Sequence, residues 1–200
     1  RLGFIGVGNR GSQLLDAFVV HPDAEVTAIC DVYQPYVDRT KERFENKVDV
    51  HDDFRDLIAA ENVDAVAIAT PDHWHAIQTI MSCDAGKDVY VEKPLSITVH
   101  EGRRMVEAAR RNDRIVQVGT HRRSSPLYYK LADLIQGGTI GHVSMARCYR
   151  LSNMVPDGIG RAKHTEPPAD LDWDMWLGPR PYRPYQDNIC PYKFRWWKQY

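Results

Sequence analysis

Nothing in the 200 residues reads as a membrane span: there is no apolar run of about eighteen residues, and no secretory-type apolar stretch precedes the first strand-like segment. Charge of one sign is not in excess either. Twenty-six basic side chains stand against 27 acidic ones, a net charge of -1, so no global field draws in nucleic acid or an anionic membrane surface. Any anion must be held locally. Cysteine is sparse, and Cys30, Cys83, Cys148 and Cys190 lie far apart without a C-x-x-C pair, which excludes a disulfide scaffold and the usual zinc or dithiol spacing. They read as reduced thiols, and no metal site is expected. Internal repeats and low-complexity tracts are also missing. What remains, 43% hydrophobic and 26% charged, is the composition of a globular chain able to bury a core. It opens at Arg1 without an initiator Met, so the expected location is cytoplasmic, or periplasmic if an upstream signal has been removed.

The first 120 residues alternate short β-rich runs with helical spacing, the pattern of a parallel sheet with crossover helices. Strands are expected at 2–7, 25–30, 65–69, 88–91 and 115–118, five or six in all, and helices around 14–18, 37–44, 54–60, 75–83 and 99–111. The fold class is therefore α/β, a doubly wound Rossmann sheet over residues 1–120, followed from 121 to 200 by the start of an α+β open-sheet second domain. In that second part Leu127, Leu131, Leu134 and Ile135 predict a helix stopped at Gly137 and Gly138, and alternation over Val143–Arg150 predicts a strand. From Leu151 onward most of the prolines and four of the five tryptophans gather in what reads as a long aromatic loop, packed on a domain or in contact with substrate.

Gly6, Gly8 and Gly11 frame Gly6-Val7-Gly8-Asn9-Arg10-Gly11, a G-x-G-x-x-G placed between a strand and a helix, where free helix N–H groups meet a pyrophosphate. Asn9 and Arg10 share that bend. Asp31 follows at the end of the second strand, where a carboxylate bonds the ribose hydroxyls and repels a 2'-phosphate, favouring NAD over NADP. At the end of a later strand, Glu92-Lys93-Pro94 puts a lysine on the edge where open α/β sheets bind ligands. Lys93 could orient a substrate hydroxyl and move its proton if partly buried, or be an ordinary solvated strand-end lysine.

Together with Ala69-Thr70-Pro71-Asp72-His73-Trp74-His75, these motifs make residues 1–150 resemble the glucose-fructose oxidoreductase, inositol dehydrogenase and MocA (Gfo/Idh/MocA) family of oxidoreductases. The resemblance implies an NAD(P)-binding Rossmann domain, Lys93 as the catalytic lysine, and Thr70, Pro71, Asp72, His73, Trp74, His75, Glu92, Lys93 and His121 lining the cofactor. It also implies a carbohydrate substrate touching Lys93, Arg122 and Tyr149, and a homo-oligomer, dimer or tetramer. Helix capping and packing are the alternative for His73 and His75, and domain-junction ion pairing for His121 and Arg122. The Asp-x-x-x-His pattern of the family's second domain is absent from the last fifty residues and is expected beyond Tyr200. Three activities stay open: hydride transfer at a secondary alcohol of a sugar, cyclitol or glycoside; NAD-dependent glycoside cleavage through transient oxidation and elimination, which the Asp72–His75 turn resembles; and a cofactor-binding regulator without catalysis.

Overall fold

The computed structural model describes residues 1–149, 158–191 and 193–197. Six parallel strands form one sheet: β1 (Leu2–Ile5), β2 (Val26–Cys30), β3 (Asp49–His51), β4 (Ala65–Ile68), β5 (Asp88–Glu92) and β6 (Val116–Gly119). Their order is β3-β2-β1-β4-β5-β6, so the chain reverses direction across the sheet between β1 and β4 and leaves a crevice at the carboxyl ends of those strands.

The central strands are apolar on both faces because helices cover both. Phe4, Ile29 and Ala67 point to one side, where α1 (Asn9–Phe18) and α2 (Gln34–Arg43) supply Leu14, Leu15 and Val37. Ile5, Cys30, Val66 and Ile68 point to the other, where α3 (Phe54–Ala59), α4 (His75–Asp84) and α5 (Val99–Arg111) supply Leu57, Cys83 and Met105. Local chemistry sets the helix starts. Thr98 and Glu101 cap α5 reciprocally, the Glu101 amide donating to Thr98 Oγ1 (3.1 Å) and the Thr98 amide to Glu101 Oε2 (3.0 Å). Asp53 accepts the Arg55 amide at the head of α3 (2.8 Å).

Three expectations need correction. A strand at Asp49–His51 went unpredicted; it is three residues long and not apolar, and pairing with β2 alone defines it. The strand expected over Val143–Arg150 is not there: residues 142–149 are irregular and exposed, and residue 150 lies outside the described residues. Alternation alone makes no strand when no neighbour takes up its N–H and C=O groups, and α6 (Pro126–Gln136), also without a buried residue, offers no edge. Third, the aromatic tail is not a simple loop. It holds α7 (Trp173–Leu177) and a 3-10 turn at Lys193–Trp196, packed as a third cluster of Leu171, Trp173, Trp176, Leu177, Ile189 and Phe194 against Val32 and Tyr33.

Candidate functional site

The crevice deepens into a cavity of about 320 Å³ running from β2 past the glycine bend to the ends of β4 and β5, a size suited to a small-molecule site. At its head, Gly6 has φ +85°, which a side chain would strain, and a Cβ on Gly11 would sit 1.9 Å from the Gly6 carbonyl oxygen. The bend is therefore compact enough for the first turn of α1 to present its N–H groups to the crevice.

Asp31 is built into the same bend. Its Oδ2 accepts the Val7 amide at 2.7 Å and its Oδ1 the Tyr33 amide at 3.1 Å. Burial pushes the carboxyl up to about 6, against the pull of those amides and of Arg39. Arg39 in turn donates to the Val7 carbonyl (2.9 Å) and lies over Tyr36, whose ring closes against Gly8.

Across the sheet, Arg10 Nε donates to Glu92 Oε1 at 2.7 Å, tying the glycine bend to the end of β5; Glu92 is buried, and its other oxygen accepts the Lys93 amide at 3.2 Å. His75 sits beneath the next turn, with Nδ1 2.7 Å from the Pro94 carbonyl oxygen and Nε2 2.9 Å from that of Thr70. Thr70 Oγ1 donates to Gln78 Oε1 at 2.7 Å. Burial pushes the Asp72 carboxyl upward, opposed by the nearby cationic groups of His75, Arg195 and Lys93.

Of the residues singled out from sequence, Gly6, Gly8, Asn9, Arg10, Asp31, Thr70, Pro71, Asp72, Trp74, His75, Glu92, Lys93 and His121 all line the cavity. Gly11 shapes it from behind. Lys93 is exposed rather than partly buried. Three residues are elsewhere. His73 is buried away from the cavity and bonds the Trp176 carbonyl through Nε2 (2.9 Å). Arg122 is exposed outside the cavity, because the 3-10 turn at His121–Ser124 aims only His121 inward. Tyr149 is 74% exposed in the irregular segment, held by no sheet. Conversely, sequence reading missed Tyr33, Tyr36 and Gln78, and left undecided which tail residues would reach a site: Leu171, Met175, Trp176, Cys190, Pro191 and Phe194 line this one. The clustering of aromatics after residue 170 was their only signal. No group of side chains suited to a metal occurs among the described residues, and none of their helices is long and apolar enough to cross a membrane.

Residues 1–120 match the family model described as "Oxidoreductase family, NAD-binding Rossmann fold", and residues 143–200 match "Oxidoreductase family, C-terminal alpha/beta domain". A Shewanella sp. (strain W3-18-1) protein named "Glycosyl hydrolase family 109 protein" is 38% identical over 122 residues, covering 57% of this chain and 27% of that protein. Among solved structures, a probable dehydrogenase from Thermotoga maritima superposes with TM-score 0.65 at 32% identity, over 70% of this chain and 42% of that one. Myo-inositol 2-dehydrogenase from Lactobacillus plantarum gives 0.66 at 26% identity with the same coverage. A 3-ketoreductase from Actinomadura kijaniata, in complex with NADP and TDP-benzene, gives 0.64 at 28%, over 69% of this chain and 42% of that one. The chain thus spans about a quarter of the length of the curated relatives it matches.

Proposed function

This chain belongs to the Gfo/Idh/MocA oxidoreductase family, and on that footing we propose that it forms the cofactor half of an NAD-dependent enzyme moving a hydride to or from a secondary alcohol of a sugar, cyclitol or glycoside. One observation carries the reading: a single cavity joins the glycine bend and Asp31 to Lys93, His75 and His121 at the strand ends. The bend and the first turn of α1 suit a diphosphate, and Asp31 suits an unphosphorylated ribose. When bound, the nicotinamide supplies the hydride acceptor or donor.

Lys93 is the residue we assign to the alcohol. Its Nζ hydrogen-bonds the substrate oxygen and shares in moving the hydroxyl proton, while Glu92 fixes the Lys93 backbone through its amide and His75 braces the following Pro94 carbonyl. We place the second domain from residue 121 onward and expect the enzyme to be a homo-oligomer.

A second reading is glycoside cleavage by transient oxidation, elimination and re-reduction; the 38% identity to a glycosyl hydrolase family 109 protein favours it. One screen separates the two. Sugars, cyclitols and aryl glycosides are offered with NAD or NADP while the nicotinamide absorbance and aglycone release are both followed. Net hydride transfer accumulates NADH with free sugars, whereas the redox-neutral route releases aglycone with no lasting absorbance change. Lys93→Ala should lower either turnover by about 10²–10⁴-fold at saturating cofactor. Turnover unaffected by that change would remove Lys93 from the mechanism.

A further inference from the structure

His73 and Trp74 belong to the turn that resembles a cofactor-lining motif, yet their polar atoms point into the protein's own tail. Trp74 Nε1 donates to the carbonyls of Met175 (3.1 Å) and Trp176 (3.2 Å), and His73 Nε2 donates to that of Trp176 (2.9 Å). Burial pulls the His73 imidazole down to about 4, so the ring is neutral at pH 7, with its hydrogen on Nε2 to meet the carbonyl. These carbonyls close α7, and the last carbonyls of any helix lack partners within it. The helix ends at Gly178, with φ 51°, where a Cβ would lie 2.0 Å from Trp74 Cζ2. Two sequence segments about a hundred residues apart, Asp72-His73-Trp74-His75 and Trp173-Asp174-Met175-Trp176-Leu177-Gly178, are therefore built for each other.

The other end of the segment is fastened beside Asp31. The Gln34 amide donates to the Asp170 carbonyl and the Asp172 amide to the Val32 carbonyl, both at 2.9 Å, around an antiparallel bridge between Tyr33 and Leu171. Between these two anchors the segment crosses the crevice. Its own core is firm: Trp173 and Trp176 stack at 4.9 Å, Phe194 meets Trp176 edge-on at 5.9 Å, and Ile189 is fully buried. The cavity is thus bounded on one side by the sheet edge and glycine bend, and on the other by Leu171, Met175, Trp176, Cys190, Pro191 and Phe194.

We propose that Leu171–Pro191 together with Phe194 form the second wall of the dinucleotide site, and that His73 and Trp74 are positioning residues that hold this wall in place rather than cofactor ligands. The proposal rests on the reading of the cavity as a dinucleotide site. Loosening either anchor, at β2 or at the His73–Trp74 turn, frees this wall from the crevice, so the anchors govern how long a cofactor stays.

The test measures NADH leaving the full protein on displacement by excess NAD, read by loss of energy transfer from tryptophan to the bound nicotinamide. His73→Leu removes the donor, His73→Gln keeps one near the same position, and Trp74→Phe removes the indole N–H while keeping a ring against Phe54. His73→Leu and Trp74→Phe should release NADH about tenfold faster, the size expected for losing a buried hydrogen bond, with His73→Gln close to the parent. Met175→Trp, which fills the cavity from the wall while its backbone carbonyl still accepts the Trp74 indole, should weaken NADH binding about tenfold, whether or not His73→Leu folds. NADH that leaves all these variants at the parental rate, and binds Met175→Trp as tightly as the parent, overturns the second wall and leaves the cofactor reading intact. A parent protein that binds no NADH overturns both.

Discussion

Asp31 and His73 carry opposite pH dependences. The folded Asp31 carboxyl, at about 6, lies above its ordinary value of 3.8, so the native state holds that proton more tightly and its contribution to stability falls as pH rises from about 4 to 6. His73 at about 4 lies below its ordinary 6.5, so its contribution is full above pH 6.5 and is lost as pH falls toward 4. The slopes oppose one another across nearly the same window. Denaturant titrations between pH 4 and 6.5 should therefore show little change from this pair, whereas Asp31→Asn, which keeps only the histidine's slope, should gain stability as pH rises. Cofactor affinity behaves differently. Ribose hydroxyls donate to the ionised carboxylate, so NAD affinity should fall as pH drops below about 6, approaching tenfold per pH unit. Affinity that stays flat from pH 7 to 5 would show that Asp31 does not hold the ribose.

Elements differ sharply in how much tertiary structure supports them. Leu57 on α3 is fully buried against Gly3 of β1, whereas Leu131 on α6 is 48% exposed and no residue of α6 is buried. In this chain Leu57→Ala should cost about 2–5 kcal/mol and Leu131→Ala less than about 0.5 kcal/mol, as read from urea midpoints. Equal losses would mean that α6 packs on the sheet after all.

The same contrast explains what could be read from the sequence. Strands such as Ala65–Ile68 and helices such as Val99–Arg111 declare themselves because burial on both faces or on one stripe leaves a periodic pattern. The strand at Asp49–His51 leaves none, being short, polar and defined only by its neighbour. At the site, the glycine bend and Asp31 were legible because a phosphate loop and a ribose acid need fixed residue types at fixed spacing. His73 was not, since bonding a substrate group and bonding the carbonyl of Trp176 call for the same imidazole, and only the folded chain tells them apart. The Val143–Arg150 alternation misled for a related reason: periodicity proposes a strand, but a partner strand makes one.

At the scale of the whole molecule, the sheet order, the crevice between β1 and β4 and the family match support the proposal that NAD is held at the glycine bend and Asp31. Everything assigned to Lys93 and to the aromatic wall depends on that grip. Its most direct measurement is a calorimetric titration of NAD and NADP onto the parent protein and Asp31→Asn at pH 7.5. NAD should bind the parent more tightly than NADP, and Asp31→Asn should lose about tenfold or more in NAD affinity, the loss expected for charge-assisted hydrogen bonds. A parent that binds neither dinucleotide, or an Asp31→Asn variant that holds NAD as tightly as the parent, would contradict it.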